Sequence, residues 1–137
     1  MSEQPPTGPG SIPAGLRVQL FRGRVRRGES AGVDEWMAML NRRLDEAVAT
    51  LDRERMGIEL VFRSREGDDE FLYWVVVRGD GADVATSTAL LDADHRAYDE
   101  RCREPGWEVA EAQLMLLPDS VRAAVLEFCD VADDRPD

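Results

Sequence analysis

Lysine is absent; all 17 basic residues are arginine. Schiff-base chemistry and a lysine general base are thereby excluded. Histidine occurs once, at His95, and cysteine only at Cys102 and Cys129, with no C-x-x-C pair. That set has no zinc spacing, so no metal site is expected. No apolar run approaches the ~20 residues that span a bilayer. The first residues, MSEQPPTGPGSIPAG, lack the basic end and apolar core of a secretory signal. A cytoplasmic, reducing setting with two free thiols is the expectation.

Positive charge is also in deficit. There are 28 acidic side chains and a formal net charge of −11. Phosphate backbones reward the opposite balance, so neither nucleic acid nor an anionic membrane is expected as a partner. The exception is LRVQLFRGRVRR at 16–27, with Arg17, Arg22, Arg24, Arg26 and Arg27 and no acid. It reads as a strand whose arginines pair with nearby carboxylates, or else as an anion-binding rim.

What is present suffices for one domain. The chain has 137 residues, 43% of them hydrophobic and spread along its length, which excludes wholesale disorder. Residues 1–15, rich in Pro and Gly, are expected to be a disordered tail. Residues 16–130 are expected to fold, and 131–137 to form an acidic C-terminal tail.

Periodicity predicts the elements. Leu16, Val18 and Leu20 alternate with Arg17 and Gln19, a strand over 16–25. After a break at Gly28, with Ser30 as cap, Val33, Trp36/Met37, Leu40, Leu44, Val48 and Leu51 recur at helical spacing. One long amphipathic helix over 31–53 is expected. Strands follow at 58–65 and 71–78 around the polar loop 66–70. A second helix over 89–103 aligns Leu91, His95, Tyr98 and Cys102. A fourth strand is read over 109–117, VAEAQLMLL. A last helix opens at Pro118, with Val121, Ala124, Val125 and Phe128 inward. Gly79-Asp80-Gly81 reads as a turn, too short a glycine signal for a phosphate loop.

The order β-α-β-β-α-β plus a helix is that of an α+β ferredoxin-like plait. In the third strand Phe71, Tyr73, Val75 and Val77 point one way and Leu72, Trp74 and Val76 the other, so both faces are apolar. Helices on one side leave the second face bare. The expected cover is a second copy, giving a homodimeric α+β barrel. The alternative cover is the C-terminal helix.

The DEW at 34–36, RERM at 53–56, LYW at 72–74 and the D-x-D-H at 92–95 followed by Tyr98 and Cys102 resemble a family of small uncharacterised bacterial proteins of the dimeric α+β barrel type. The resemblance implies fold and dimerisation. More distantly, the architecture is similar to antibiotic-biosynthesis and haem-degrading monooxygenases and to sugar mutarotases. That likeness implies a pocket between sheet and helices, with Trp74 and His95 on comparable elements. The asparagine such haem degraders carry on strand one is missing, Gln19 or Arg22 standing in its place, and the Trp-to-His interval is long. Haem is therefore not expected, nor any other cofactor.

The candidate site follows. His95, the one side chain that titrates near neutrality, is the proposed proton shuttle, with Asp92 or Asp99 to orient it. Tyr98, one turn on, would assist as a donor. Trp74 and Trp36 would wall a small-molecule pocket, and Arg22 and Arg43 would bind a carboxylate. Proton transfer or cofactor-independent oxygenation on a small apolar or aromatic molecule is the expected function. The alternative is a non-catalytic dimeric accessory or regulatory module.

Overall fold

The computed structural model describes residues 9–80 and 90–135, for Leu90 the backbone alone. In chain order it has β1 (Arg17–Arg24), α1 (Ser30–Arg42), α2 (Leu44–Glu54), β2 (Met56–Glu66), β3 (Asp69–Arg78), α3 (Leu90–Cys102), β4 (Glu108–Ala110) and α4 (Asp119–Cys129). The fold is α+β: a four-stranded sheet ordered β2-β3-β1-β4, every neighbouring pair antiparallel, with four helices. Gly81 of the expected 79–81 turn and the first residue of the helix expected over 89–103 lie outside the described residues.

The register fixes two faces. Phe21 pairs with Trp74 and Trp74 with Val61, while Leu20 pairs with Val75 and Val75 with Leu60. Side chains alternate across the pleat. Leu72, Trp74 and Val76 therefore face α1 and α3, in a core with Val33, Trp36, Met39, Leu91 and Cys102. On the opposite face α4 covers one end only. Val125, Leu126 and Cys129 pack there on Leu16 and Val77, flanked by Val18 and Ile58. Beyond that cap, Leu60 is 47% and Phe62 56% exposed beside the partly covered Leu20, Tyr73 and Val75. Of the two expected covers, the C-terminal helix closes part of the second face, and an apolar strip is left open.

Four expectations change. The long helix is broken at Arg43, whose φ of −103° and ψ of 39° leave the helical region. The bend turns Ala47 and Leu51 inward and leaves Leu44 and Val48 about half exposed, at 56% and 54%. Ser30 opens α1 without capping it; its hydroxyl lies instead between Glu70 and the guanidinium groups of Arg63 and Arg65. The fourth strand pairs only over Glu108–Ala110. Residues 111–117 keep a strand-like alternation near their end, Met115 buried while Leu114 and Leu116 are 63% and 78% exposed, but no described strand pairs with them. In α4 the buried side is Arg122, Val125, Leu126 and Cys129, while Val121 and Ala124 face solvent.

The chain ends are more engaged than their composition implied. Pro13 is fully buried, the Ser11 hydroxyl accepts from the Met115 amide at 3.1 Å, and the Arg122 guanidinium donates to the Ser11 carbonyl at 2.9 Å. Arg122 also pairs with Asp133. Buried hydrogen bonds of an ionised group overcome the solvation of a Pro/Gly-rich stretch. Gly79 shows how closely α4 is seated: a Cβ there would lie 2.0 Å from the Cys129 carbonyl oxygen.

Candidate functional site

Three rings meet between the sheet and α3. Trp36 of α1, Trp74 of β3 and His95 of α3 form a triangle with centroids 5.4 to 5.5 Å apart. Trp36 is wholly buried, and its indole N–H donates to Nδ1 of His95 at 2.9 Å. The Trp74 indole N–H donates to a Glu59 carboxylate oxygen at 2.8 Å. A buried indole seeks one acceptor for its single N–H, and each tryptophan here has found one.

Next to the triangle is an open cleft of about 210 Å³ lined by Phe21, Trp74, Val76, His95, Asp99 and Trp107. Trp107, in the turn after α3, stands edge-on to Trp74 and Phe21, with centroids 6.2 and 6.0 Å away. The Arg103 guanidinium sits 3.9 Å from the Trp107 ring centroid and is held by both oxygens of Asp99. Three aromatic walls and an imidazole make a surface for a flat apolar molecule. The volume is below the ~300–1,000 Å³ that encloses drug-sized ligands, which limits the occupant to about one ring.

Behind Trp74 and His95 lies a second, acidic hollow of about 50 Å³, lined among others by Thr50, Glu54, Glu59 and Asp92. Glu54 is 3% exposed, and burial, reinforced by the charges of Glu59 and Asp92, pushes its carboxyl up to about 7. Asp92, also 3% exposed, is neutralised by Arg53 at 2.8 Å. Among the described residues no group of acids, thiols and imidazole could hold a metal ion.

His95 is pushed below its ordinary value by burial, against the pull of Glu59, Asp99 and Asp92. Its orienting partner is Trp36, not the expected aspartates, which are engaged by Arg53 and Arg103. Of the other expected site residues, Trp74 lines the cleft and Trp36 supports it from behind. Tyr98 is one turn along α3, with Arg101 over its ring, and borders a different hollow with Met39 and Asp94. Arg22 belongs to the opposite sheet face, over the Phe71 ring and between Glu66 and Glu108. Arg43 sits at the α1–α2 bend, tied to Glu46 and Asp94. Neither arginine reaches the His95 cleft: Arg22 is held on the other sheet face by Glu66 of β2 and Glu108 of β4, and Arg43 is held by Glu46 of α2 and Asp94 of α3.

Trp107, Glu54 and Glu59 lie around these rings although the sequence pattern does not single them out as site residues. A tryptophan directly after Pro105-Gly106 is the signal available for the first, since a large apolar ring in a turn needs a surface to lie on. Glu54 carried no signal, because acids at helix ends are ordinarily solvated.

No helix among the described residues is long and apolar enough to cross a membrane. Comparison with curated proteins and with solved structures finds no match, so nothing bears out the distant likeness to monooxygenases and mutarotases. A family model does match over residues 16–123, nearly all of the folded part, and the chain belongs to that family, described as a family of unknown function (DUF6176).

Proposed function

We propose that this protein binds a small apolar or aromatic molecule in the cleft between the sheet and α3. The observation that carries the reading is the fixed imidazole of His95 among Trp74, Trp107 and Phe21. Side chains that serve only as core filler close the space around them, whereas these four border a cleft of about 210 Å³. Proton transfer or isomerisation without a cofactor is the chemistry proposed there, with Glu54, whose carboxyl burial pushes up to about 7, in the hollow behind the same two rings and not in the cleft itself. The sheet order β2-β3-β1-β4 is the one a ferredoxin-like plait requires, and the open strip beside Leu60 and Phe62 supports pairing of two plaits into a barrel. Buried free thiols at Cys102 and Cys129 fit a reducing cytoplasm.

The test is a fragment screen of single-ring compounds read by tryptophan fluorescence and by NMR. The expected hits perturb the Trp74 and Trp107 indole signals and lose affinity in Trp107→Ala and His95→Ala. A screen in which no single-ring compound moves those signals overturns the reading. The second reading, a dimeric accessory module without a ligand, rests on the exposed sheet strip alone and predicts that negative result together with a stable two-chain species.

A further inference from the structure

We infer that Trp36 is a positioning residue that fixes His95 as a hydrogen-bond donor through Nε2–H, and that the cleft therefore recognises a single-ring molecule carrying an acceptor oxygen such as a carbonyl. This inference rests on the binding reading given above and deepens it.

The argument starts from what an indole can do. Its N–H donates and never accepts. The nitrogen it points to, Nδ1 of His95 at 2.9 Å, must therefore offer a lone pair. A neutral imidazole with a bare Nδ1 carries its proton on Nε2. Protonating Nδ1 would set two N–H groups against each other inside the core and forfeit a buried hydrogen bond. The groups facing His95 are Trp36 from α1, Glu54 from α2, Glu59 from β2, and Asp92, Arg96 and Asp99 from α3. Asp99 is held by Arg103, Asp92 by Arg53 and Glu59 by the Trp74 indole. Among the described residues none accepts a hydrogen bond from Nε2. With Nδ1 committed to the core, Nε2–H is the one hydrogen-bonding group this ring can present to a molecule in the cleft. Such a donor stabilises negative charge growing on a carbonyl oxygen, and it cannot serve as a base, because its only lone pair is already used.

Two measurements test the inference. The first needs no ligand: two-bond nitrogen–proton NMR correlations on the full-length protein report which nitrogen of His95 carries the proton. The expected result at pH 7 is the Nε2–H form, with a titration midpoint that rises when Trp36→Phe frees Nδ1. An Nδ1–H form, or a midpoint that Trp36→Phe leaves unmoved, overturns the positioning role. Should Trp36→Phe fail to fold by near-ultraviolet circular dichroism, the wild-type spectrum decides alone. An Nε2–H form together with a downfield, slowly exchanging Trp36 indole proton supports the role, and any other form overturns it.

The second measurement compares acetophenone with ethylbenzene, similar in shape and differing in the acceptor oxygen. Binding followed by the indole signals is expected to favour acetophenone about 10-fold, the worth of one good hydrogen bond, and His95→Phe is expected to abolish that preference. Equal binding of the two overturns the acceptor inference and leaves the cleft reading standing. Binding of neither overturns both.

Discussion

Trp107 lies on the bare backbone of Gly23. A Cβ on that glycine would come within 2.8 Å of the indole and 2.4 Å of Cδ of Arg103. Gly23 sits in β1 opposite Leu72, on the face turned to α1 and α3, where a side chain would otherwise fill the space the indole takes. The small residue is what lets the turn after α3 lay a large ring against Phe21 and Trp74. Gly23→Ala is expected to lift Trp107 off the sheet and reshape the cleft. Forced overpacking of this kind costs about 1–3 kcal/mol. Urea unfolding read by tryptophan fluorescence checks it. An unchanged midpoint with an unchanged emission maximum would show that the ring is not seated as described.

Much of the α+β order was legible in the sequence, because both periodicities are strong where they matter. The run Phe71 to Val77 shows a strand greasy on both sides, and Leu91, His95, Tyr98 and Cys102 show one face of α3. Legibility failed where tertiary contacts override local pattern. No proline or glycine marks the bend at Arg43; there the guanidinium reaches Glu46 and Asp94, and the apolar stripe shifts to Ala47 and Leu51. Residues 111–117 read as a strand since they alternate, yet a strand exists only where another pairs with it, and beyond Ala110 none of the described ones does. The candidate site was half visible. His95 and Trp74 stand out by rarity, while Glu54 takes its importance in part from Asp92 and His95, and Trp107 in part from Phe21 and Trp74, all distant from it in the chain.

The two thiols should be chemically quiet. Cys102 is 0% and Cys129 1% exposed, and burial pushes both above the ordinary thiol value. Thiolate is the reactive form, so both access and ionisation are withheld. With a disulfide reagent at pH 7.5, native protein is expected to react at less than about 1% of the rate seen in 6 M guanidinium, since exposure requires unfolding. Fast reaction of one equivalent in the native state would mean that a thiol is open to solvent.

Glu54 sets a pH dependence whose sign is unusual for a carboxylate. Its folded value, about 7, lies above the usual 4.5 of the unfolded chain. Between those values the native state holds the proton that the unfolded chain has released. The contribution to stability is therefore complete below about pH 4.5 and is lost as pH rises toward 7. Allowing for partial solvent screening, the loss is on the order of 1–2 kcal/mol. Glu54→Gln keeps the neutral shape and removes the titration. The variant is expected to show a flatter stability profile across this window and to exceed the wild type at pH 8. Urea midpoints at pH 5 and pH 8 decide it; parallel profiles for the two proteins would mean that Glu54 ionises normally.

The open strip of the sheet leads to the last expectation. Leu60 and Phe62 are about half exposed next to Leu20 and Val75, and Leu114 and Leu116 stand outward on the unpaired stretch after β4. The chain is strongly acidic, with a net charge of −11, yet these side chains are uncharged, so two copies can meet there with less repulsion than on any acidic face. Such a pairing would be isologous, the same strip serving both partners. Light scattering after gel filtration at micromolar concentration is expected to give twice the 15.3 kDa chain mass. Phe62→Asp places two carboxylates near the two-fold axis and should return the single-chain mass while far-ultraviolet circular dichroism stays native. Asp on an exposed position of β2 costs the isolated domain little, on the order of 1 kcal/mol. A wild-type protein that runs as one chain at this concentration would leave α4 as the only cover of that face, and the barrel would have to be abandoned.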